Sequence, residues 1–180
     1  MSVMPHEFYK RDTVEVAKDL LGCKLVRKTE GKTLSGIIVE TEAYTQDDPA
    51  CHAYRGETPR AATLFKHPGI AYVYFIYGMY NCFNAVAHPE GKAGGILIRA
   101  LETVYAVKKT NGPGKLCKAL NITRELNEID LTNPDFELYL ERGESVPENQ
   151  IITTTRIGIK NGCDYLWRFY IKDNPYVSRK

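Results

Sequence analysis

The stretch Gly36 to Tyr44, GIIVETEAY, constrains this chain more than any other. Four β-branched residues (Ile37, Ile38, Val39 and Thr41) crowd its first six positions, which suits a pleated, half-buried strand. Side chains alternate across a strand. Strict alternation puts Ile37, Val39, Thr41 and Ala43 on one face, predicting a core side. Ile38, Glu40, Glu42 and Tyr44 then share the other. Two carboxylates and an aromatic ring aimed at one side are more than scaffolding needs. A carboxylate beside an aromatic platform is what hydrolysis at a flat ring requires.

The rest of the composition excludes several classes. At 180 residues the chain is expected to form one domain, residues 1–180, with a full core. Its apolar runs are broken well before membrane-spanning length, and MSVMPHEFYK lacks an apolar signal core. An intracellular protein without a membrane segment is the expectation. Cys23, Cys51, Cys82, Cys117 and Cys163 are dispersed without a CxxC pair, which reads as buried free thiols. Only Cys51 and His52 are adjacent, so no metal site is expected. A zinc deaminase needs P-C-x-x-C to complement H-x-E, and the chain has no P-C-x-x-C. The net charge of +2 neither implies nor excludes nucleic acid. DNA binding must rest on local arrangement.

Asp12 with Glu15 three residues on forms a capping-box pattern. Val14, Ala17, Leu20 and Leu21 continue it at helical spacing, and Gly22 supplies the stop. Lys24–Arg27 and Thr33–Tyr44 read as a hairpin turning at Glu30-Gly31-Lys32. The segment Thr45–Gly69 has Pro49, Pro59 and Pro68 and little periodicity, so it is expected to be a long loop. It carries His52, Arg55, Thr58, Arg60, Lys66 and His67, a set suited to phosphates if the loop lines a site. Ala71–Ala87 reads as strand, turn at Gly78, and strand. Tyr72, Tyr74, Tyr77 and Tyr80 are close together there. Packing explains most strand tyrosines, but Tyr77 and Met79 flank the turn, where a bulky side chain is a candidate wedge between base pairs.

Gly95–Glu102 predicts a strand with Ile96 and Ile98 on one face and Leu97, Arg99 and Leu101 on the other. Arg99 in such a strand needs an acidic partner, Glu40 or Glu42, and the pair is either structural or catalytic. Asn111–Ile122 reads as a Gly/Pro turn opening a short helix, with Lys115 available for backbone phosphate; the P-loop spacing is absent. Glu137–Glu141, Ile151–Ile159 and Phe169–Ile171 read as further strands, the last ended by Asn174-Pro175.

Taken in order, these segments resemble the alkyladenine (3-methyladenine) DNA glycosylase family. The match runs through ETEAY (Glu40–Tyr44), His52, TPR (Thr58–Arg60) and the stretch Pro68–Asn84 with IYGMY. It continues through LIRALE (Leu97–Glu102), GPGKLCKAL (Gly112–Leu120), TRIGI (Thr155–Ile159) and RFY…PYVS (Arg168–Ser178). The resemblance implies a mixed α/β (α+β) fold, one domain around a curved antiparallel sheet with flanking helices, and no metal or cofactor. It implies an enzyme that acts on double-stranded DNA containing damaged purines: 3-methyladenine, 7-methylguanine, hypoxanthine or ethenoadenine; a monomer is the default expectation. Such an enzyme flips the base out and hydrolyses its N-glycosidic bond with an activated water. It leaves an abasic site, since no suitably placed amine nucleophile is present.

By position, Glu42 resembles the general base and Arg99 its partner in holding water, with the main-chain carbonyl of Ile157 as a third contact. The pattern alone leaves Glu40 as a rival base; the resemblance selects Glu42. Tyr44 and Tyr74 resemble the aromatic walls and His52 the residue at the opposite side and edge of the base. Asn84 resembles a selector against guanine's amino group. Tyr77 resembles the wedge, with Met79, Tyr80, Arg55, Thr58, Arg60 and Lys115 as further DNA contacts. Two departures bear on DNA affinity rather than chemistry. The chain is short between Glu102 and Gly112, and Glu57 interrupts the basic loop. The alternative from another class is a non-catalytic nucleic-acid-binding module, which the tyrosine cluster permits but two carboxylates would weaken.

Overall fold

The computed structural model describes residues 2–103 and 110–179. Asp12 caps the helix α2 (Thr13–Asp19), its carboxylate accepting from the N–H groups of Val14 and Glu15 at 2.9 and 3.1 Å. This satisfies two of the donors that every helix start leaves open. A four-residue helix α1 (His6–Tyr9) precedes it. The strands β1 (Lys24–Thr29) and β2 (Lys32–Thr45) form the expected hairpin, Thr29 facing Lys32. Glu30 and Gly31 both adopt positive φ, +46° and +73°, the two-residue turn whose twist suits antiparallel strands.

β3 (Ala71–Ile76) and β4 (Tyr80–Val86) make a second hairpin, and β5 (Gly94–Glu102) joins it to β2. With β6 (Leu138–Glu141) the sheet runs β3-β4-β5-β2-β1-β6, curled and antiparallel throughout. β7 (Ile151–Thr154) and β8 (Arg168–Ile171) attach differently. The first part of β2 pairs with β1; from Glu40 to Glu42 the same strand pairs with β8 instead. One long strand thus serves two neighbours in succession, and the exchange falls where the carboxylates begin. α2 and α3 (Pro113–Ala119) flank the sheet, with Thr41 Oγ1 donating to the Ala17 carbonyl at 2.7 Å. This is the mixed α/β class that the resemblance implies.

The main core gathers Tyr9, Leu20, Ile38, Phe83, Ile98 and Phe169, all essentially unexposed. Each such side chain contributes about 1.5–3 kcal/mol by leaving water. A smaller cluster around Leu64, Ile70, Tyr72 and Val86 packs the long loop against the β3–β4 hairpin. That loop contains two short 3-10 turns, His52–Arg55 and Ala62–Phe65.

Strict alternation fails at one level of the sheet. Ile38 pairs with Leu101 and Thr41 with Ile98, but Glu40 pairs out of step with Ala100. The irregularity turns both strands over together. Ile38 therefore joins Ala43 in the main core, and Leu101 joins Ile96 and Ile98, contrary to the expected faces. Ile37 and Val39 do not belong to that cluster. A bulge re-aims side chains without lengthening the fold. The predicted strand Ile151–Ile159 also stops early, at Thr154. Beyond it the backbone leaves the sheet so that Arg156 turns inward. β8 ends at Ile171, three residues before Asn174. Most of the short segment after Glu102, residues 104–109, lies outside the described residues. Among the described residues, no helix is long and apolar enough to cross a membrane.

Candidate active site

Above the irregularity, Glu40, Glu42 and Arg99 converge on one side, all three buried. Arg99 Nε donates to Glu40 Oε1 at 3.1 Å, while its Nη1 lies 3.3 Å from Glu42 Oε1. The two carboxylates have different surroundings. Glu40 also accepts from Arg168 Nη1 (2.9 Å), Ser178 Oγ (2.9 Å) and the Ser178 N–H (2.6 Å). Glu42 accepts from the Ile157 N–H on Oε1 and from the Tyr44 hydroxyl on Oε2, each at 2.7 Å. Arg99, Tyr44 and Ile157 all line a cavity of about 380 Å³, whereas Glu40 is enclosed by the strand β8 and the segment beyond it. Small-molecule sites begin near this size.

The electrostatics keep Arg99 charged. Burial works against its charge, but Glu42, Glu40 and Tyr44 outweigh it and raise its pKa above the ordinary value. The Tyr44 hydroxyl is pushed far up, first by burial and then by the Glu42 charge that it faces, so it remains a donor. Behind the Tyr44 ring, 4.6 Å from its centroid, lies the guanidinium of Arg156. Arg156 forks onto Asp48, through Nη1 to Oδ2 and through Nη2 to Oδ1 at 3.0 Å, with both side chains fully buried. It also donates to the carbonyls of Ala43 (2.9 Å) and Gly162 (3.1 Å). Gly162 is required there: its φ is +61°, and an added Cβ would stand 2.7 Å from Asp48 Oδ1. The clamp fixes both the wall ring and the segment that brings the Ile157 N–H to Glu42.

On the opposite wall, His52 and Tyr74 meet edge to face at 4.8 Å between centroids. The Tyr72 hydroxyl donates to the Arg60 carbonyl at 2.9 Å, so at 2.8 Å the His52 Nδ1 must donate to the Tyr72 oxygen. That defines the neutral Nδ1–H tautomer. Burial, then the nearby Arg60 charge, lowers the His52 pKa to about 4. The Tyr74 hydroxyl is pushed up, mainly by burial. Asn84, nearly buried, lines the cavity and donates through Nδ2 to the Tyr72 carbonyl at 3.2 Å.

At the rim, the β3–β4 turn closes through a Met79 N–H to Ile76 carbonyl bond of 3.1 Å. Tyr77 and Gly78 both have positive φ, +52° and +66°. That geometry projects Tyr77 outward, 86% exposed; Met79 and Tyr80 are exposed beside it. Arg60 lies over the Tyr74 ring at 5.5 Å. Arg55 and Thr58 are exposed on the long loop, the Thr58 hydroxyl accepting from the Ala61 N–H. Lys115 is exposed at the start of α3 and bonded to Asn111.

One sequence expectation fails outright: of the five cysteines read as buried, Cys163 is exposed. Glu42 and Arg99 touch directly, because opposite charges attract strongly in a buried site. A water contacting both must sit at their shared edge. Ile157 also meets Glu42 directly, through its N–H. Sequence reasoning also missed Asp48, Arg156, Arg168 and Ser178. Arg156 was hidden in an apparent strand, and no spacing rule links residue 48 to residue 156. Among the described residues, no three His, Cys, Asp or Glu side chains are grouped to hold a metal ion.

The fold and site together define an aromatic-walled pocket over a buried carboxylate–guanidinium pair, beside an exposed aromatic turn. Comparisons agree on where such a chain falls. The methylpurine-DNA glycosylase (MPG) family matches residues 7–175. A protein of Carboxydothermus hydrogenoformans named "Putative 3-methyladenine DNA glycosylase" is 51% identical over 99% of this chain and all of its own length. Proteins with the same name from Clostridium tetani and Methanoculleus marisnigri are 46% and 45% identical. The alignments cover 97% of this chain and 98% of the first, and 98% of this chain and 99% of the second. The chain belongs to the methylpurine-DNA glycosylase family. It is accordingly a DNA glycosylase, an enzyme of DNA repair.

Proposed function

We propose that this protein works inside the cell as a one-domain monomer that removes alkylated or deaminated purines from duplex DNA: 3-methyladenine, 7-methylguanine, hypoxanthine and ethenoadenine. The target base leaves the stack at a cost of a few kcal/mol, less when it is damaged and poorly paired. Tyr77 fills the vacated space. Tyr44 on one side and Tyr74 with His52 on the other enclose the base, each aromatic contact contributing roughly 1–3 kcal/mol. Asn84 lies where a purine edge would press, and there it rejects guanine's amino group. Arg55, Thr58, Arg60 and Lys115, with Met79 and Tyr80, hold the duplex.

Glu42 is the general base. It takes a proton from a water held against its shared edge with Arg99, with the Ile157 carbonyl as a third contact, while the sugar develops oxocarbenium character. The Ile157 N–H and Tyr44 O–H hold the carboxylate towards the pocket. The products are free base and an abasic site, without strand cleavage. The observation that carries this reading is the contrast in setting between the carboxylates. Glu42 is held by three residues that line the pocket, and Glu40 is tied to the structural side.

Glu42→Gln should slow release of free base about 10²- to 10⁴-fold while damaged duplex still binds. Single-turnover release from duplexes carrying each lesion, beside a binding titration, checks both halves. Turnover near the wild-type rate would refute the role given to Glu42.

A further inference from the structure

We propose that Glu40 and Ser178 are positioning residues that withhold Arg99 from Glu42, and so keep the base free to act. The inference rests on the reading of Glu42 as the base.

A guanidinium beside a carboxylate ordinarily engages it with two parallel N–H···O bonds. Such a fork at Glu42 would occupy the oxygens that must receive the proton from water. The structure shows a single contact instead: only Nη1 of Arg99 approaches Glu42, at 3.3 Å. The other donor edges are taken. Nε is bonded to Glu40 Oε1, and Nη2 to Ser178 Oγ at 3.4 Å. Ser178 fits this task through three bonds at once. Its N–H and O–H donate to the two oxygens of Glu40, and its oxygen accepts from Arg99. Arg168 supplies the remaining cation, anchored by Nε to the Thr155 carbonyl and by Nη1 to both Glu40 and the Arg179 carbonyl. Among the described residues every donor bonded to Glu40 comes from Arg99, Arg168 or Ser178, and Glu40 has no part in proton transfer.

Removing this hold has a predictable sign. Besides Arg99 on β5, the groups facing Glu42 are Tyr44 on its own strand, Tyr74 on β3, Cys82 on β4 and Arg156 beyond β7. Arg168 on β8 lies one carboxylate away, across Glu40. In Glu40→Gln a negative charge disappears and Arg99 is released to fork onto Glu42. Both changes draw the guanidinium onto the oxygens that must take the proton from water, so base release slows. Ser178→Ala leaves every charge in place; it frees Nη2 and removes the hydroxyl's bond to Glu40, so its effect has the same sign and is smaller.

The test is single-turnover base release from hypoxanthine-containing duplex between pH 5 and 9 by wild type, Glu42→Gln, Glu40→Gln, Ser178→Ala and Ser178→Thr. Binding and thermal unfolding are measured alongside. We expect plateau rates reduced about 10- to 100-fold for Glu40→Gln and about 3- to 10-fold for Ser178→Ala. Ser178→Thr, which keeps the hydroxyl, should restore the rate, and damaged duplex should bind throughout. If Ser178→Ala slows release only in proportion to lost folded protein, the proposal fails. It fails too if Glu40→Gln binds damaged duplex yet releases nothing, since Glu40 would then be the base. Turnover by Glu42→Gln would instead overturn the underlying assignment. Should Glu40→Gln not fold, Ser178→Ala and Ser178→Thr still decide the matter.

Discussion

The floor of the cavity and its rim break the ordinary rule of inside and outside in opposite directions. At the floor, Glu40, Glu42 and Arg99 are charged and buried. At the rim, Tyr77 and Met79 are apolar and exposed. The floor tolerates its charges because each is paired and hydrogen-bonded, which makes the region costly to perturb. The rim has almost nothing packed against it, so it can change without cost to the fold. The floor is built to persist; the rim, on the function proposed above, is to be covered by DNA.

Breaking the clamp behind Tyr44 should give the largest structural effect. Asp48→Ala leaves Arg156 charged and buried without its partner, and should destabilise the protein by about 3–5 kcal/mol. Denaturant unfolding would measure it; a loss below about 1 kcal/mol would mean that the floor is less rigid than its bonding implies. Tyr77→Ala should do the reverse. Stability should change by no more than about 0.5 kcal/mol, as for other exposed side chains. Base release from duplex should nevertheless fall about 10-fold or more, and release from single strands much less, because only the duplex requires a gap to be filled.

The smallest effect sharpens the boundary between the regions. His52 has a folded-state pKa near 4 against an ordinary 6.5, so the unfolded chain binds the extra proton between these values. Its contribution to stability is whole above about pH 6.5 and fades as pH falls towards 4. His52→Gln should flatten that part of the stability–pH curve, read from melting temperatures across the window. An unchanged slope would place His52 with the rim.

The sequence was most legible where the structure is local. The cap at Asp12, the turn at Glu30-Gly31 and the tip at Gly78 lie where short patterns put them. The pairing of Arg99 with acids on β2 was legible as a need, because an unpaired charge in an apolar strand is costly. Ile38 and Leu101 were misassigned because alternation assumes a regular ladder, and only the paired strands reveal the slip at Glu40. Arg156 was unreadable for a related reason. Its value lies in Asp48, Gly162 and the Tyr44 ring, which meet only after the chain folds back.

The exchange of neighbours along β2 also has a consequence in time. A ribosome delivers Glu40 and Glu42 early, but their counterparts arrive at residues 99, 168 and 178. β5 brings Arg99 and docks one edge of the upper half of the strand, but until β8 emerges the other edge stays open and Glu40 lacks its second cation. The final strand and the residues just beyond it therefore close that edge and complete the bonds around Glu40, a step that comes only after β5 is in place.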